Sequence, residues 1–163
     1  MIRFAVPGDI DGINILHKQL HIQHIGYRPD IFAQIEQPKF DSLMMKYLNN
    51  KNRRIIISEN DNVIDGYAAL TVCNTKKAEG EIQPFVYVQI DEFCVLEGHE
   101  HKGIGSAIMD EAKTFALSVG ARFLELSVRA ENTGALEFYK ANGLSVRSLK
   151  MQYRIDDTDE RKV

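Results

Sequence analysis

The sequence lacks an excess of basic residues. Its 163 residues include 20 Lys and Arg against 23 Asp and Glu, which gives a formal net charge of −3. A protein that binds nucleic acid by neutralising phosphates needs a basic surface, so a nucleic-acid partner is not expected. The charge balance still leaves room for a small basic pocket that binds a phosphorylated cofactor.

The sequence is also poor in cysteine and in long apolar runs. The two cysteines, Cys73 and Cys94, lie in apolar, strand-like stretches. They resemble the small core residues of a protein in a reducing compartment. No apolar run approaches the length of about 20 residues that a membrane-spanning helix needs. Residues 1–7 have neither the basic patch nor the long apolar stretch of a signal peptide. We therefore expect a cytoplasmic protein without a membrane partner.

No repeat, low-complexity run or linker divides the sequence, so we expect one domain over residues 1–156 and a polar tail over 157–163. Hydrophobic periodicity and turn signals predict the following order. Strands are predicted over residues 2–6, 53–58, 63–73, 85–95 and 123–128, helices over 9–27, 40–48, 103–119 and 132–141, and one or two closing strands within 144–155. This order indicates a mixed α/β sheet with helices on both faces.

A glycine-containing loop joins the longest predicted strand to the helix that begins near Gly103. Glycines let backbone N–H groups approach a ligand, and a helix start presents N–H groups and a positive dipole end, so the loop can hold an anion. It does not match a P-loop, because Ile104 stands at the lysine position. It does not match a dinucleotide fingerprint, because Ile108 stands at the third glycine. From these residues alone, a simple tight turn remains an equal alternative.

Two motifs resemble those of the GNAT superfamily of N-acetyltransferases. Glu100-His101-Lys102-Gly103-Ile104-Gly105 looks like the family's R/Q-x-x-G-x-G/A motif, and the stretch from Asn132 to Leu144 is similar to N-x-x-A-x-x-F-Y-x-x-x-G-F. The resemblance covers residues 63–155 in the family's order and spacing. It implies a GNAT-type fold with a mostly antiparallel central sheet, a splayed strand pair, and acetyl-CoA as the acetyl donor. One departure is Glu100, since a carboxylate stands where Arg or Gln is usual and cannot donate to a phosphate.

The resemblance also implies which residues bind acetyl-CoA. The loop would bind the pyrophosphate through its N–H groups, the backbone of the long strand would bind pantetheine as an added strand, and an N–H near Val95 would hold the thioester carbonyl. The cofactor-binding residues expected on this basis are Phe93, Cys94, Val95, Glu100, His101, Lys102, Gly103, Ile104, Gly105, Ser106, Asn132, Ala135 and Tyr139.

Three residues are candidates for the chemistry. Tyr139 has the pattern of a core residue, whereas the resemblance implies a general acid for the coenzyme A thiolate. Asp91 and Glu92 are adjacent acids in an apolar strand, where neighbours point to opposite faces, so only one is expected to face the reaction site. A carboxylate there can take a proton from an amine and attract a cationic acceptor. The strand weakly resembles that of diamine acetyltransferases, which puts Asp91 first and Glu92 as the alternate.

The first predicted helix supplies the expected acceptor pocket. Its histidines share one face of the helix, but no cysteine or carboxylate completes a clear set of metal ligands. No metal site is therefore expected. The family builds its acceptor pocket from this region, which implies that His21, His24, Tyr27 and Arg28 line the pocket here.

We expect direct acetyl transfer to a primary amine of a small or polyamine-like molecule in a ternary complex. A protein N-terminal or lysine acetyltransferase and a non-catalytic acyl-CoA sensor stay open, as does a homodimer.

Overall fold

The computed structural model describes residues 1–34, 44–75 and 83–155. Within these ranges, five strands form one sheet in the order β1-β2-β3-β4-β5. The neighbouring strands are antiparallel except for β4 and β5, which are parallel. The strands are β1 Ile2–Phe4, β2 Arg53–Asn60, β3 Val63–Asn74, β4 Val86–Val95 and β5 Phe123–Leu126. The predicted mixed and mostly antiparallel sheet is therefore confirmed.

Helices cover both faces of this sheet. A 3-10 turn, Pro7–Asp9, leads into α1 Ile10–Tyr27, whose Ile13 and Leu16 are fully buried against one face. The opposite face packs against α2 Ile104–Ser118, and α3 Thr133–Ala141 adds partly buried side chains there. Residues 44–48 are also helical, while the earlier part of the helix predicted over 40–48 lies outside the described residues.

β4 and β5 separate at the point where β5 ends. Their paired residues run from Tyr87 opposite Phe123 to Ile90 opposite Leu126, whereas β4 continues to Val95. The last part of β4 therefore has β3 on one edge, and on the other edge a gap in which no described residue forms a strand. This is the splayed pair that the resemblance implied.

A β-bulge in β4 changes the direction of the two adjacent acids. Ala69 of β3 pairs with Glu92 and Leu70 pairs with Ile90, so Asp91 is the extra residue. Ile90 and Phe93 both belong to the core on the α2 side, which leaves Asp91 and Glu92 together on the α1 side. The prediction that these two acids point to opposite faces is wrong, because strict alternation fails at a bulge.

The closing strands predicted within residues 144–155 do not form. The described part of the chain has no strand there, and residues 145–155 are all exposed. The alternating pattern indicates only that one face of the segment is apolar. A strand also needs a neighbouring strand for its backbone hydrogen bonds. The boundary at residue 156 and the polar tail over 157–163 lie outside the described residues.

Among the described residues, no helix is both long enough and apolar enough to cross a membrane.

Candidate active site

The loop between β4 and α2 ends in a helix start that is open to an anion. Gly98, His101 and Gly103 all have positive φ angles, of 79°, 61° and 81°, and α2 begins directly afterwards at Ile104. The Ala107 N–H donates to the Gly103 carbonyl at 3.0 Å. The N–H groups before Ala107 have no acceptor in the preceding turn of the helix, and they lie at its positive dipole end. The structure thus brings the predicted residues 100–106 together at one helix start whose N–H groups suit an anion.

Glu100 is part of the loop's own hydrogen bonding. Its Oε2 accepts from the Gly98 N–H at 2.7 Å, so the carboxylate stabilises the turn. This contact explains how an acid is accommodated two residues before Lys102. The negative charge nevertheless remains beside the helix start that would bind a phosphate.

Gln19 of α1 fastens the end of β4 to the beginning of this loop. Its Nε2 donates to the Val95 carbonyl at 2.9 Å, and its Oε1 accepts from the Glu97 N–H at 3.0 Å. The sequence analysis missed Gln19. The only local signal is a polar residue beside Leu20, at the edge of the apolar stripe of α1.

Two of the predicted cofactor-binding residues of β4 direct their backbone N–H and C=O groups into the gap. The Leu96 N–H donates to the Asp65 carbonyl at 2.9 Å, on the β3 side. Successive residues of an antiparallel strand direct their N–H and C=O groups to alternate edges. Val95 and Phe93 therefore direct theirs toward the gap, and Cys94 directs its own toward β3.

Cys94 is a packing residue. Its side chain is 5% exposed in the core beneath α1, and burial raises the pKa of its thiol to about 12. The thiol is therefore protonated at neutral pH. This fits the expectation that Cys94 is a small core residue.

The second motif meets the first through Phe138. Asn132 caps α3, because its Oδ1 accepts from the Ala135 N–H at 3.0 Å. One turn later the Phe138 ring lies against Gly105. A Cβ placed on Gly105 would be 3.0 Å from Cζ of that ring and 3.1 Å from its Cε2. The second glycine of the Gly103-Ile104-Gly105 motif therefore makes room for the aromatic residue of α3.

Tyr139 lies at the open edge of β4. Its ring makes an edge contact with Phe93 at a centroid distance of 6.0 Å. Phe93 lies beyond the last residue of β4 that pairs with β5, so the Tyr139 ring lies beside the unpaired part of that strand. Burial, with a smaller effect of the Cys94 thiol, raises the pKa of Tyr139 to about 12. The phenol is therefore in the proton-bearing form at neutral pH.

The two acids differ in their surroundings. Glu92 Oε2 accepts from the Tyr67 hydroxyl at 2.6 Å and lies 2.8 Å from Nδ1 of His17, and the Glu92 side chain is 22% exposed. Asp91 is exposed, and its Oδ2 accepts from the Thr71 hydroxyl at 2.5 Å. Glu92 is thus held by two buried side chains. The sequence analysis did not give Tyr67 and His17 this role, because contacts between α1, β3 and β4 join residues far apart in the chain.

Two of the predicted acceptor residues surround Phe32. His24 and His21 lie at ring-centroid distances of 5.1 and 6.1 Å from Phe32, and the Arg129 guanidinium lies 4.6 Å above the same ring. Burial, and then the charge of Arg129, lower the pKa of His24 below its usual value. Arg129, which was not among the residues predicted from the sequence, follows β5 and lies over this ring.

The other two predicted acceptor residues lie at the end of α1. Arg28 makes two hydrogen bonds to Asp30, at 2.8 and 2.7 Å, and its terminal nitrogens lie 3.2 Å from Oε1 of Gln152. Tyr27 is 37% exposed. Arg28 is therefore engaged in an ion pair. Within the described residues, no group of three or more His, Cys, Asp or Glu side chains is arranged to hold a metal ion.

Comparison with known sequences gives one family and one relative. The sequence model of the acetyltransferase (GNAT) family matches residues 21–144, which is well over half of the chain. An uncharacterized N-acetyltransferase of Methanocaldococcus jannaschii, MJ1207, is 38% identical over 61 residues. That match covers 37% of this chain and 27% of the relative's length.

Solved structures resemble the fold closely. A tetramutant of the BH1408 protein of Bacillus halodurans has a TM-score of 0.90 at 24% identity, with 95% of this chain and 99% of that chain covered. The aminoglycoside N-acetyltransferase AAC(6')-Iy in complex with CoA has a TM-score of 0.76 at 17% identity, with 95% and 93% covered. The same enzyme with the bisubstrate analogue CoA-S-monomethyl-acetylneamine has a TM-score of 0.75, also at 17% identity, with 95% and 97% covered. At these identities the likeness concerns the fold, and the predicted fold is confirmed.

Proposed function

The chain belongs to the GNAT family of acetyltransferases, and from this premise we propose that it transfers an acetyl group from acetyl-CoA to a primary amine of a small molecule. The observation that carries the proposal is the arrangement around the end of β4. An anion-binding helix start, an open strand edge and the protonated phenol of Tyr139 meet there, beside two carboxylates on the α1 side.

The chain's own groups fit acetyl-CoA along this path. The N–H groups at the start of α2 suit the pyrophosphate. The N–H and C=O groups of Phe93 that point into the gap suit the pantetheine amides, which would pair with β4 like an additional strand, and the Val95 N–H stays available for the thioester carbonyl. We assign Asn132 to the pantetheine arm as well. Its Oδ1 already caps α3, so its amide nitrogen is the group offered to the cofactor.

The proposed reaction is a direct transfer. Glu92, directly or through a water, takes a proton from the ammonium form of the acceptor. The amine nitrogen then attacks the thioester carbonyl carbon, and the Val95 N–H stabilises the oxyanion that develops. The C–S bond breaks as the intermediate collapses, and the Tyr139 hydroxyl donates a hydrogen bond to the departing thiolate. The nitrogen passes its second proton through water to that thiolate, so coenzyme A leaves as the thiol, and Glu92 releases the first proton to solvent.

We assign the role of general base to Glu92 because neighbouring side chains hold its carboxylate in place. The Tyr67 hydroxyl at 2.6 Å and the His17 ring at 2.8 Å hold one carboxylate oxygen. Asp91 is exposed, and its carboxylate interacts with the hydroxyl groups of Thr71 and Tyr47. Its negative charge would instead attract a cationic acceptor to the site.

A small acceptor with more than one amine is the proposed substrate class. Two carboxylates on one side of the gap favour a polycation, and the Phe32 ring with His21 and His24 offers an apolar wall for its carbon skeleton. The AAC(6')-Iy structures are of an aminoglycoside N-acetyltransferase, which supports an acceptor of this kind. Both cysteines are free thiols, in keeping with the cytoplasm as the proposed compartment.

The test combines calorimetry with an acceptor panel. Binding of acetyl-CoA is measured first, and thiol release is then followed with a diamine, a polyamine, an aminoglycoside and a peptide with a free N-terminus. Turnover on one of the small amines is expected. Turnover on the peptide alone would favour a protein acetyltransferase, binding without any turnover would favour an acyl-CoA sensor, and absence of binding would refute the proposal.

The base is tested with a matched pair of variants. Glu92→Gln should lower kcat/KM for the amine by about 10²- to 10⁴-fold, the usual range for a general base. The deficit should shrink near pH 10, where an amine of pKa about 10.4 loses its proton without help. Asp91→Asn should mainly raise the KM of a polycationic acceptor. A larger loss of kcat in Asp91→Asn than in Glu92→Gln would reverse the assignment.

A further inference from the structure

Arg129 brings a positive charge to the wall that we propose for the acceptor. It follows β5, is half-buried, and its guanidinium carbon lies 4.6 Å from the centre of the Phe32 ring. Its side chain forms no ion pair or hydrogen bond with any residue that the structure describes, whereas Arg3, Arg28 and Arg147 each pair with a carboxylate. A guanidinium has five N–H donors, and contact with a ring face uses none of them. The donors of Arg129 can therefore bind an anion.

The backbone holds Arg129 between the two proposed subsites. β5 ends at Leu126, where β4 and β5 separate, and the chain then runs to Asn132, which caps α3. The Asn132 N–H donates to the Arg129 carbonyl at 3.0 Å and closes a turn between them. The backbone of Arg129 is thus tied to the residue that we assign to the pantetheine arm, while its side chain reaches the Phe32 ring on the acceptor side.

Arg129 and Glu92 act on the same histidine with opposite charges. Burial lowers the pKa of His24 most, the charge of Arg129 lowers it further, and the charge of Glu92 acts to raise it. The positive guanidinium and the negative carboxylate therefore both lie near the His24 ring. That ring is itself neutral at pH 7, because its pKa is below the ordinary value of 6.5. An acceptor that lies along this wall meets a negative charge at one end and a positive charge at the other.

The spacing along α1 gives the scale of the separation between these two charges. Glu92 Oε2 lies 2.8 Å from Nδ1 of His17. His24 packs against the ring that Arg129 covers. The seven residues from His17 to His24 rise by about 10 Å along the helix. One small molecule with an amine at one end and an anion at the other can span a distance of this size, and the apolar ring suits its carbon skeleton.

A carboxylate is the anion that fits this arginine. Its two oxygens match the planar fork of one guanidinium. It has a single negative charge, whereas a phosphate carries more at neutral pH and would be repelled more strongly by Asp91 and Glu92. Those two acids in turn suit amines. The charges of the site therefore match a molecule with two amines and one carboxylate.

We propose that the acceptor is a small diamino acid, whose carboxylate binds Arg129 while one amine reaches Glu92 and the other lies toward Asp91. The inference rests on the proposed function, since it needs Glu92 to receive a proton from an amine, and the acetyl transfer itself is unchanged. A diamine would place only positive charge beside Arg129, whereas the carboxylate of a diamino acid neutralises the guanidinium. Arg129 then determines which of the two is the better acceptor.

The test compares acceptors that differ in the carboxylate. Lysine has the two amines of 1,5-diaminopentane and adds a carboxylate, while lysine amide replaces that carboxylate by a neutral group. Ornithine and 1,4-diaminobutane form a second pair with a shorter chain. From thiol release, kcat/KM should be about 10- to 100-fold higher for the diamino acid of the better pair than for its diamine. Lysine amide should behave like the diamine.

Variants of Arg129 test whether the guanidinium causes this preference. Arg129→Met keeps an unbranched side chain on Phe32 and should reduce the ratio of kcat/KM between diamino acid and diamine to about 1. Arg129→Lys should retain part of the preference, because it keeps the charge without the planar fork. Arg122→Met is the matched control, since Arg122 lies over the rings of Phe85 and Phe123 at the opposite end of β5. It should keep the wild-type ratio.

Calorimetry reads the carboxylate subsite without turnover. Lysine or ornithine should bind the coenzyme A complex at least about tenfold more tightly than the matching diamine, and Arg129→Met should abolish the difference. If no amine is turned over but this difference is found, the proposed function fails and the carboxylate subsite stands. Turnover with equal kcat/KM within both pairs, or a preference that survives Arg129→Met, would overturn the inference alone. Weaker acetyl-CoA binding in Arg129→Met with the preference intact would assign the guanidinium to the cofactor's phosphates and would also overturn it.

Discussion

Replacing Tyr139 by Phe removes one hydroxyl from the open edge of β4 and keeps the ring that packs against Phe93. If the hydroxyl serves the departing thiolate, the variant should lose kcat and retain its affinity for acetyl-CoA. The neutral thioester sulfur gains little from a hydrogen bond, whereas the thiolate that forms on C–S cleavage gains much more. The effect is therefore specific to the transition state and later steps.

The size of the loss follows from the acidity of the phenol. The pKa of Tyr139 is raised to about 12, while a thiol has a pKa of about 8.5. Complete proton transfer to the thiolate would then be uphill by about 3.5 pKa units, or about 5 kcal/mol. A hydrogen bond to a charged group contributes about 1.5–3 kcal/mol, so kcat should fall about 10- to 150-fold. Donation of a hydrogen bond is thus the expected role.

The pH dependence gives a second readout. Because the pKa is raised to about 12, the phenol stays protonated through the whole range of an ordinary assay. An alkaline decline of kcat below about pH 10 therefore belongs to another group and should persist in Tyr139→Phe. The same shift favours the folded state through the protonated phenol. That contribution to stability is complete below about pH 10 and is lost as the pH rises toward about 12.

The assay is steady-state thiol release at saturating amine, with acetyl-CoA affinity measured by calorimetry. Tyr87→Phe is the matched control, since it removes a hydroxyl from the opposite end of β4. Full kcat in Tyr139→Phe would refute the role of the hydroxyl. A parallel loss of acetyl-CoA affinity and of thermal stability would show that Tyr139 acts through packing instead.

Three further predictions concern the loop and the contacts that support it. Gly105→Val should lower the Tm by about 2–12 °C, because overpacking costs about 1–3 kcal/mol, whereas Gly134→Val, at the same second position of its helix and with no atom within 4 Å, should change it little. Glu100→Gln keeps an acceptor for the Gly98 N–H and removes the charge, so calorimetry at low salt should show roughly fivefold tighter coenzyme A binding that weakens at high salt; unchanged affinity would mean that the carboxylate does not act on the phosphates. Gln19→Leu removes both hydrogen bonds to the end of β4 and should lower kcat/KM for acetyl-CoA about tenfold while leaving the amine KM unchanged, and an unchanged kcat/KM would contradict a positioning role.

Local patterns were enough for much of the fold. The apolar stripe of α1, the β-branched runs of β2 to β4 and the cap at Asn132 depend on residues close together in the chain, and each element formed where such signals were strong. The prediction of a strand within residues 144–155 was wrong, because a local pattern does not determine whether a segment finds a neighbouring strand to pair with. An alternating pattern describes one face of a segment, and pairing is decided by another part of the chain or by another chain.

In the candidate site, too, some features follow from local sequence and others only from tertiary contacts. The loop from Glu100 to Ser106 and the motif that begins at Asn132 are visible in the sequence, because each needs glycines or caps at short, defined spacings. The contact of Phe138 with Gly105 explains why the two motifs occur together, yet the packing of α3 on α2 had to be seen to find it.

For this protein, the sequence by itself determined the family, the order of the elements and the residues of the loop that we propose for the pyrophosphate. Only the tertiary structure decided that Asp91 and Glu92 share one face, that Tyr67 and His17 support Glu92, and that Gln19 fastens the end of β4. The physical reason is that a bulge is a mismatch between two strands, and a side-chain contact is a meeting of residues distant in the chain. Neither leaves a periodic trace in the segment that contains it.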